Sequence, residues 1–262
     1  MITSPHNPRI KILAALHQSR TRRETGLTLI EGVRPAREAL THAKIRTLVL
    51  SEKLCGNPEG EALKELAQQR DIEVLVITEG CYRKISGLRH PEGAAVVIVP
   101  VKTPASDILK GESRLVVTAG IQDPGNAGAI VRTAEAAGAT GCLLLGGVDI
   151  THPRFLRAAM GSSFRLPCAA AGVVEFIAEA QKTPLRILAA TTSGPAVHYN
   201  RADYRSPVAI CIGGEGRGLP EEIERAADFK IAVPMSGRVE SLNAAVAAGI
   251  ILYQARMTWI KP

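Results

Sequence analysis

Ile212-Gly213-Gly214-Glu215-Gly216-Arg217-Gly218-Leu219-Pro220-Glu221-Glu222 places four glycines in six residues directly behind an apolar, β-branched run that begins at Val208. A chain that breaks this sharply after a buried strand reads as part of a parallel α/β sheet, where ligands gather at the carboxyl ends of strands. Bare glycine backbone also lets a ligand approach closely. The spacing fits G-x-G-x-x-G in no frame, and no Lys-Ser or Lys-Thr follows, which excludes a dinucleotide fingerprint and a phosphate loop. Pro220 is expected at the first helical position with Glu221 and Glu222 in the first turn, where they complement the helix N-terminus and would repel a phosphate. The turn therefore suits an adenosine-like or cationic ligand, the plain alternative being a purely structural turn. A bulky residue at Gly213 is expected to fill the site.

Two further segments leave strands in the same way. In Gly120-Ile121-Gln122-Asp123-Pro124-Gly125-Asn126 a strand breaks on Asp-Pro-Gly and a helix is expected to open with Asn126 as its cap, carrying Arg132 nearly two turns further on; the plain reading of Arg132 is a salt-bridged arginine. In Val233-Pro234-Met235-Ser236-Gly237-Arg238-Val239-Glu240-Ser241-Leu242-Asn243 a strand stops at proline, loops, and enters a final helix with Ser241 as the expected cap and Asn243 just inside. A run of small hydroxyl residues, Thr191-Thr192-Ser193, ends another strand and could line the same cleft.

Residues 1–100 alternate amphipathic helices with short strands, the strands expected at 27–30, 45–50, 73–77 and 94–99. Pro100-Val101-Lys102-Thr103-Pro104 cannot continue a helix or a central strand and marks a boundary, giving domains 1–103 and 104–262. The second half restarts with strands at 114–119, 141–145, 166–170, 185–191, 208–213 and 230–233, separated by helices, which indicates a mainly parallel sheet covered on both faces. The last helix, expected over 241–257, is apolar nearly all round. Such a helix must be covered on more than one face, either by a second copy of the chain or by the short helix expected at 154–160.

At 262 residues, 46% hydrophobic and 22% charged, the chain can bury a proper core. The longest apolar runs, 93–101 and 244–253, fall well short of the roughly 18 residues of a membrane span, and no secretory signal is expected at the N-terminus. Cys55, Cys81, Cys142, Cys168 and Cys211 form no C-x-x-C pair, which suits reduced, buried thiols in the cytoplasm and no metal site. The net charge is +7. Arg9, Lys11, Arg20, Arg22 and Arg23 all precede the first acid, Glu24, so a basic N-terminal arm is expected to meet phosphates, or else to be a solvated helix end. Only Tyr82 among the aromatic residues lies before residue 105, which leaves little for stacking unpaired bases.

In order and spacing, three blocks closely resemble the motifs of the SpoU (TrmH-like) RNA 2'-O-ribose methyltransferases of the SPOUT superfamily. They are Asp123-Pro124-x-Asn126-x-Gly128-x-x-x-Arg132, Gly213-Gly214-Glu215-Gly216-x-Gly218-Leu219, and Val233-Pro234-Met235-x-Gly237-x-x-x-Ser241-Leu242-Asn243. Around Leu29-Ile30-Glu31-Gly32 the chain resembles the family's N-terminal substrate-binding domain, of ribosomal-protein-like α/β fold. The resemblance implies a C-terminal trefoil-knotted domain, S-adenosylmethionine as cofactor, a homodimer with composite sites, and no metal. It implies cofactor contacts from Thr191, Gly213, Gly214, Val233, Met235 and Leu242, and a reactive and orienting set of Asn126, Arg132, Glu215, Ser241 and Asn243. The substrate expected is ribosomal RNA, the alternatives being tRNA or a non-catalytic RNA-binding role.

A ribose 2'-hydroxyl is a poor nucleophile, so transfer needs it aligned and deprotonated as the bond forms. No histidine sits in any motif. The resemblance gives the base role to Arg132 aided by the substrate phosphate; a guanidinium stays protonated, so stabilisation of developing oxyanion charge is the other reading of the same residue.

Overall fold

The computed structural model of the chain describes residues 1–259 apart from Lys102, Glu112, Ser193 and Arg238. Lys102 of the proline linker, Ser193 of the hydroxyl run and Arg238 of the third loop therefore lie outside the described residues. Two compact units emerge, one of residues 1–101 with 151–164 and the other of residues 102–150 with 165–262.

In the first unit, β1 (Thr28–Glu31), β2 (Ile45–Ser51), β3 (Glu73–Ile77) and β4 (Ala94–Ile98) form a sheet in the order β1-β4-β2-β3. β4 runs antiparallel to both neighbours, and β2 runs parallel to β3. The helices Pro8–Ala15 and Glu79–Ile85 lay Ile10, Leu13, Tyr82 and Ile85 against Leu29, Val49, Leu75 and Val97. Residues 151–164 were expected in the second half. They belong here because the helix Pro153–Ala159 packs on β1, where the Thr28 hydroxyl donates to the Thr151 carbonyl at 2.8 Å.

The segment expected as a basic arm contributes its apolar residues and Arg22 to this core, while Arg9, Lys11, Arg20 and Arg23 stay exposed. Ile2 bridges to Ile77, and Ile10, Leu13 and Leu16 are buried. Arg22 is buried too, its guanidinium donating to the Leu16 and His17 carbonyls. Arg9 pairs with Glu73 at 2.6 Å and Arg20 with Glu24 at 2.7 Å. An apolar stripe at helical spacing overrode the local charge run.

The second unit contains β5 (Arg114–Ala119), β6 (Gly141–Leu145), β7 (Cys168–Ala171), β8 (Arg186–Ala190), β9 (Val197–His198), β10 (Val208–Gly213) and β11 (Phe229–Ala232). They form one sheet in the order β7-β6-β5-β10-β8-β11-β9, every pairing parallel. Near-continuous burial of β5, β6 and β10 reflects cover on both faces. The chain steps outward from β5 to β7 and then crosses to lay down β8 on the other side. β10 fills the gap between β5 and β8, so the glycine turn leaves the sheet at a topological switch point. β9 and the short helices Ser19–Thr25, Glu52–Cys55 and Ala105–Ile108 had no periodic signal, being too short for one to build.

Leu16→Ala should cost about 2–5 kcal/mol of stability as a buried large-to-small change, read as a lower midpoint in urea. Deleting residues 1–23 should abolish the folding of the first unit, contrary to the mild effect expected of a loose arm.

Candidate functional site

Three loops at the carboxyl ends of β5, β10 and β11 meet through three polar side chains. The first enters the helix Pro124–Ala137, which is capped not by Asn126 but by Asp123, whose carboxylate accepts from the Asn126 N–H at 2.9 Å. Pro124 at the first helical position fixes that start, since its missing N–H would have gone unbonded in any case. The Asn126 side chain is thereby left for other use. It donates to the Glu215 carboxylate in the glycine turn.

The last helix spans Ala244–Trp259, so its cap is Asn243 rather than Ser241. The Asn243 Oδ1 accepts from the N–H groups of Ala245 and Val246 at 3.0 and 3.3 Å. Its Nδ2 donates to the Asn126 Oδ1 at 3.3 Å and to the Glu215 Oε1 at 3.2 Å. One amide thus caps a helix with its oxygen and binds two other loops with its nitrogen, which uses both its functions.

Beside this cluster lies a cleft of about 320 Å³. Its walls bring together Thr191, Gly213, Gly214, Glu215, Val233, Met235, Ser241 and Leu242 of the expected residues. Thr191 is held there by its N–H, which donates to the Ile231 carbonyl at 2.9 Å. The glycine turn closes on itself through the Gly218 N–H and the Gly214 carbonyl at 2.9 Å. Here the glycines have a sharper reason than ligand access. A Cβ on Gly213 would stand 2.2 Å from the Gly218 carbonyl carbon, and one on Gly214 would stand 2.6 Å from the Gly120 carbonyl oxygen. Pro220 caps the following helix, Glu221–Ala226, from just outside it.

The sequence reading missed Glu224, Glu240, Ala247 and Ile251, which also line the cleft. Ala247 and Ile251 follow Ala244 at helical spacing, a signal hidden by a helix apolar all round. Glu224 is half-buried and pairs with Lys230 at 2.7 Å, a link across a turn that spacing alone does not reveal. Arg132 stands apart: it is exposed, it does not line the cleft, and no described residue hydrogen-bonds or pairs with it. The salt-bridge reading of Arg132 is therefore overturned.

The cleft joins an apolar lining (Ile212, Leu219, Ile231, Ile251) to carboxylates (Glu215, Glu224, Glu240), and bare backbone forms one wall. It can hold a flat apolar ring against backbone donors and acceptors, with Glu215, Glu240 and Arg217 as the charged groups of its wall and Glu224 already paired with Lys230. Among the described residues no group of His, Cys, Asp and Glu is placed to hold a metal ion.

Known proteins agree with this geometry. The SpoU rRNA Methylase family matches residues 113–253, and the MRM3-like substrate binding domain matches residues 7–96. The 23S rRNA (uridine(2479)-2'-O)-methyltransferase of Streptomyces viridochromogenes is 31% identical over 97% of this chain and 91% of its own length. The 23S rRNA (guanosine(2553)-2'-O)-methyltransferase RlmP of Bacillus subtilis is 28% identical, over 97% and 98% respectively. The crystal structure of the AdoMet-bound rRNA methyltransferase from Sinorhizobium meliloti superposes with a TM-score of 0.88 at 34% identity, covering 99% of this chain and 98% of that one.

Gly213→Ala should lower stability by about 1–3 kcal/mol through overpacking against backbone. Gly216→Ala, which meets nothing within 4 Å, should leave the thermal midpoint within about a degree of the parent.

Proposed function

The chain belongs to the SpoU rRNA methylase family, and we infer from that membership and from the cleft what its side chains do. It is an S-adenosylmethionine-dependent RNA 2'-O-ribose methyltransferase, and its substrate is ribosomal RNA. The cytoplasm, where such RNA is made and where thiols stay reduced, is its compartment.

The residues present fit the cofactor. Gly213 and Gly214 put bare backbone on the wall of the cleft, apolar residues flank a nucleoside-sized space, and Glu215 and Glu240 stand in the lining against one cation, Arg217, with Glu224 paired to Lys230. Thr191, Gly213, Gly214, Val233, Met235 and Leu242 hold the cofactor. When bound, S-adenosylmethionine supplies an electrophilic methyl group on a sulfonium. Glu215, Asn126 and Asn243 fix the loops that set the mouth of the cleft, and Ser241, exposed at its edge, offers a hydroxyl to the incoming nucleotide. Arg132 grips the substrate phosphate and stabilises charge growing on the 2'-oxygen, while the proton leaves to that phosphate or to water. The single observation that carries the reading is the junction of all three motif loops through Asn126, Glu215 and Asn243, beside a cleft lined by the second and third of them.

Arg132 does not reach the cleft of its own chain, which supports a composite site in a homodimer. The last helix supports it too. One side packs on the helix Pro124–Ala137, yet Val246, Tyr253 and Met257 are 51%, 52% and 76% exposed on the other, with half-buried Ile250 between them. The helix Pro153–Ala159, the other expected cover, belongs to the first unit, where it packs on β1. The trefoil knot is part of the same proposal, supported by the late insertion of β10 between β5 and β8.

Labelled methyl groups should pass from S-adenosylmethionine to 23S ribosomal RNA at a single ribose. Transfer to tRNA alone would refute the substrate. Arg132→Ala should cut turnover about a hundredfold or more with cofactor affinity unchanged in calorimetry, and near-normal turnover would remove it from the mechanism. Light scattering should give twice 27.8 kDa, whereas a monomer mass would refute the composite site.

A further inference from the structure

Of the N-terminal cations Arg22 is buried and Arg9 and Arg20 are ion-paired, while Lys11 and Arg23 stay exposed at the surface. Arg9, Arg20 and Arg22 have partners within the chain. Arg34, Arg37 and Arg89 are exposed, and no described residue bonds or pairs with them. Two carboxylates explain why they come together. Glu31, buried at 1% exposure, accepts from the Ser86 hydroxyl and from the Gly87 N–H at 2.9 Å, pinning one end of the loop 86–93 to the end of β1. Glu92 accepts from the Val33 N–H at 2.7 Å and pins the other end to the start of the helix Val33–His42. Gly93 then closes on β2, its carbonyl accepting from the Ser51 N–H at 2.7 Å. Gly32 makes the tight corner possible with φ +111°, and a Cβ there would come 3.1 Å from the Pro35 ring.

The tip of the pinned loop exposes Arg89 and His90 beside the helix that exposes Arg34 and, one turn on, Arg37. Because Glu31 and Glu92 accept from a hydroxyl and backbone N–H groups here, the arginines keep their charge for another partner. Arg34 and Arg37 line a hollow of about 680 Å³ together with Glu38, Glu59 and Glu92, so an anion is not drawn into the hollow and meets the arginines on the exposed surface beside it. No aromatic ring of the unit is exposed among the described residues, with Tyr82 and Phe155 both buried, so stacked bases are not the contact.

We propose that Arg34, Arg37 and Arg89, with His90 beside them, form the surface on which this unit grips the phosphate backbone of the substrate RNA; this rests on the reading of the protein as an RNA methyltransferase. The surface senses shape and charge and leaves sequence to the cleft. The Leu29-Ile30-Glu31-Gly32 run thereby gains a task, since its acid and its glycine build the corner that displays the cations.

Filter binding of the full-length protein to in vitro transcribed 23S ribosomal RNA at several salt concentrations tests this. Arg34→Gln/Arg89→Gln should weaken binding about tenfold at 0.1 M salt and reduce the log–log salt slope by about one and a half, at 0.7–0.9 per phosphate contact. S-adenosylmethionine affinity and thermal midpoint should stay at the parent values. Lys44→Gln makes the same kind of charge change at the opposite end of β2 and should leave the slope unaltered. An unchanged slope in the double variant, or an equal loss in Lys44→Gln, would overturn the surface while leaving the enzyme reading intact. Parent protein that neither binds nor methylates the transcript would overturn the reading and the surface together.

Discussion

One carboxylate, that of Glu215, accepts hydrogen bonds from the amides of Asn126 and Asn243, and the architecture of the cleft depends on that junction. Each residue sits in or just after a loop leaving a different part of the sheet, Asn126 in the first turn of the helix Pro124–Ala137, and the loops contain glycine and proline, residues that give a chain little regular structure of its own. Fixing such loops separately costs conformational entropy at every residue. Joining them through a charge-assisted cluster lets the order of one loop constrain the other two. Asn243 extends the effect by capping the last helix with the same amide, so the helix start and the cleft mouth cannot shift independently.

The sheet gives that junction its position. Seven parallel strands with buried faces need cover on both sides, and the crossing of the chain from β7 to β8 opens a crevice at the switch point. Nothing polar is required to make the crevice; the polar residues are needed to shape its rim. The Gly213 contact shows how tight that shaping is, since the turn folds back until no room remains for a Cβ.

Within the first unit, charge is partitioned by burial. Arg22 is buried and spends its donors on carbonyls, as a buried guanidinium must; Glu31 is buried and spends its acceptors on the loop 86–93. What remains exposed and unpaired is therefore a selected subset of the unit's cations. Net charge alone would have drawn attention to the wrong residues.

The sequence by itself determined the strands 73–77, 114–119, 141–145 and 208–213 to the residue, because apolar runs flanked by glycine or polar turns leave no other period to read. It determined the three loops that carry chemistry, since the breaks at Pro124, the four glycines and Pro234 are local events. The tertiary structure decided the rest. Which residue caps a helix depends on competition between neighbours, and Asp123 displaced Asn126 because proline at the next position fixed the helix start one turn earlier. Whether a cation is free depends on what the fold packs beside it, and so Arg22 entered the core while Arg132 stayed exposed. Residues 151–164 joined the first unit through contacts with β1, more than a hundred positions away. Periodicity records what a segment prefers to bury, and only the folded chain supplies the surface against which it is buried.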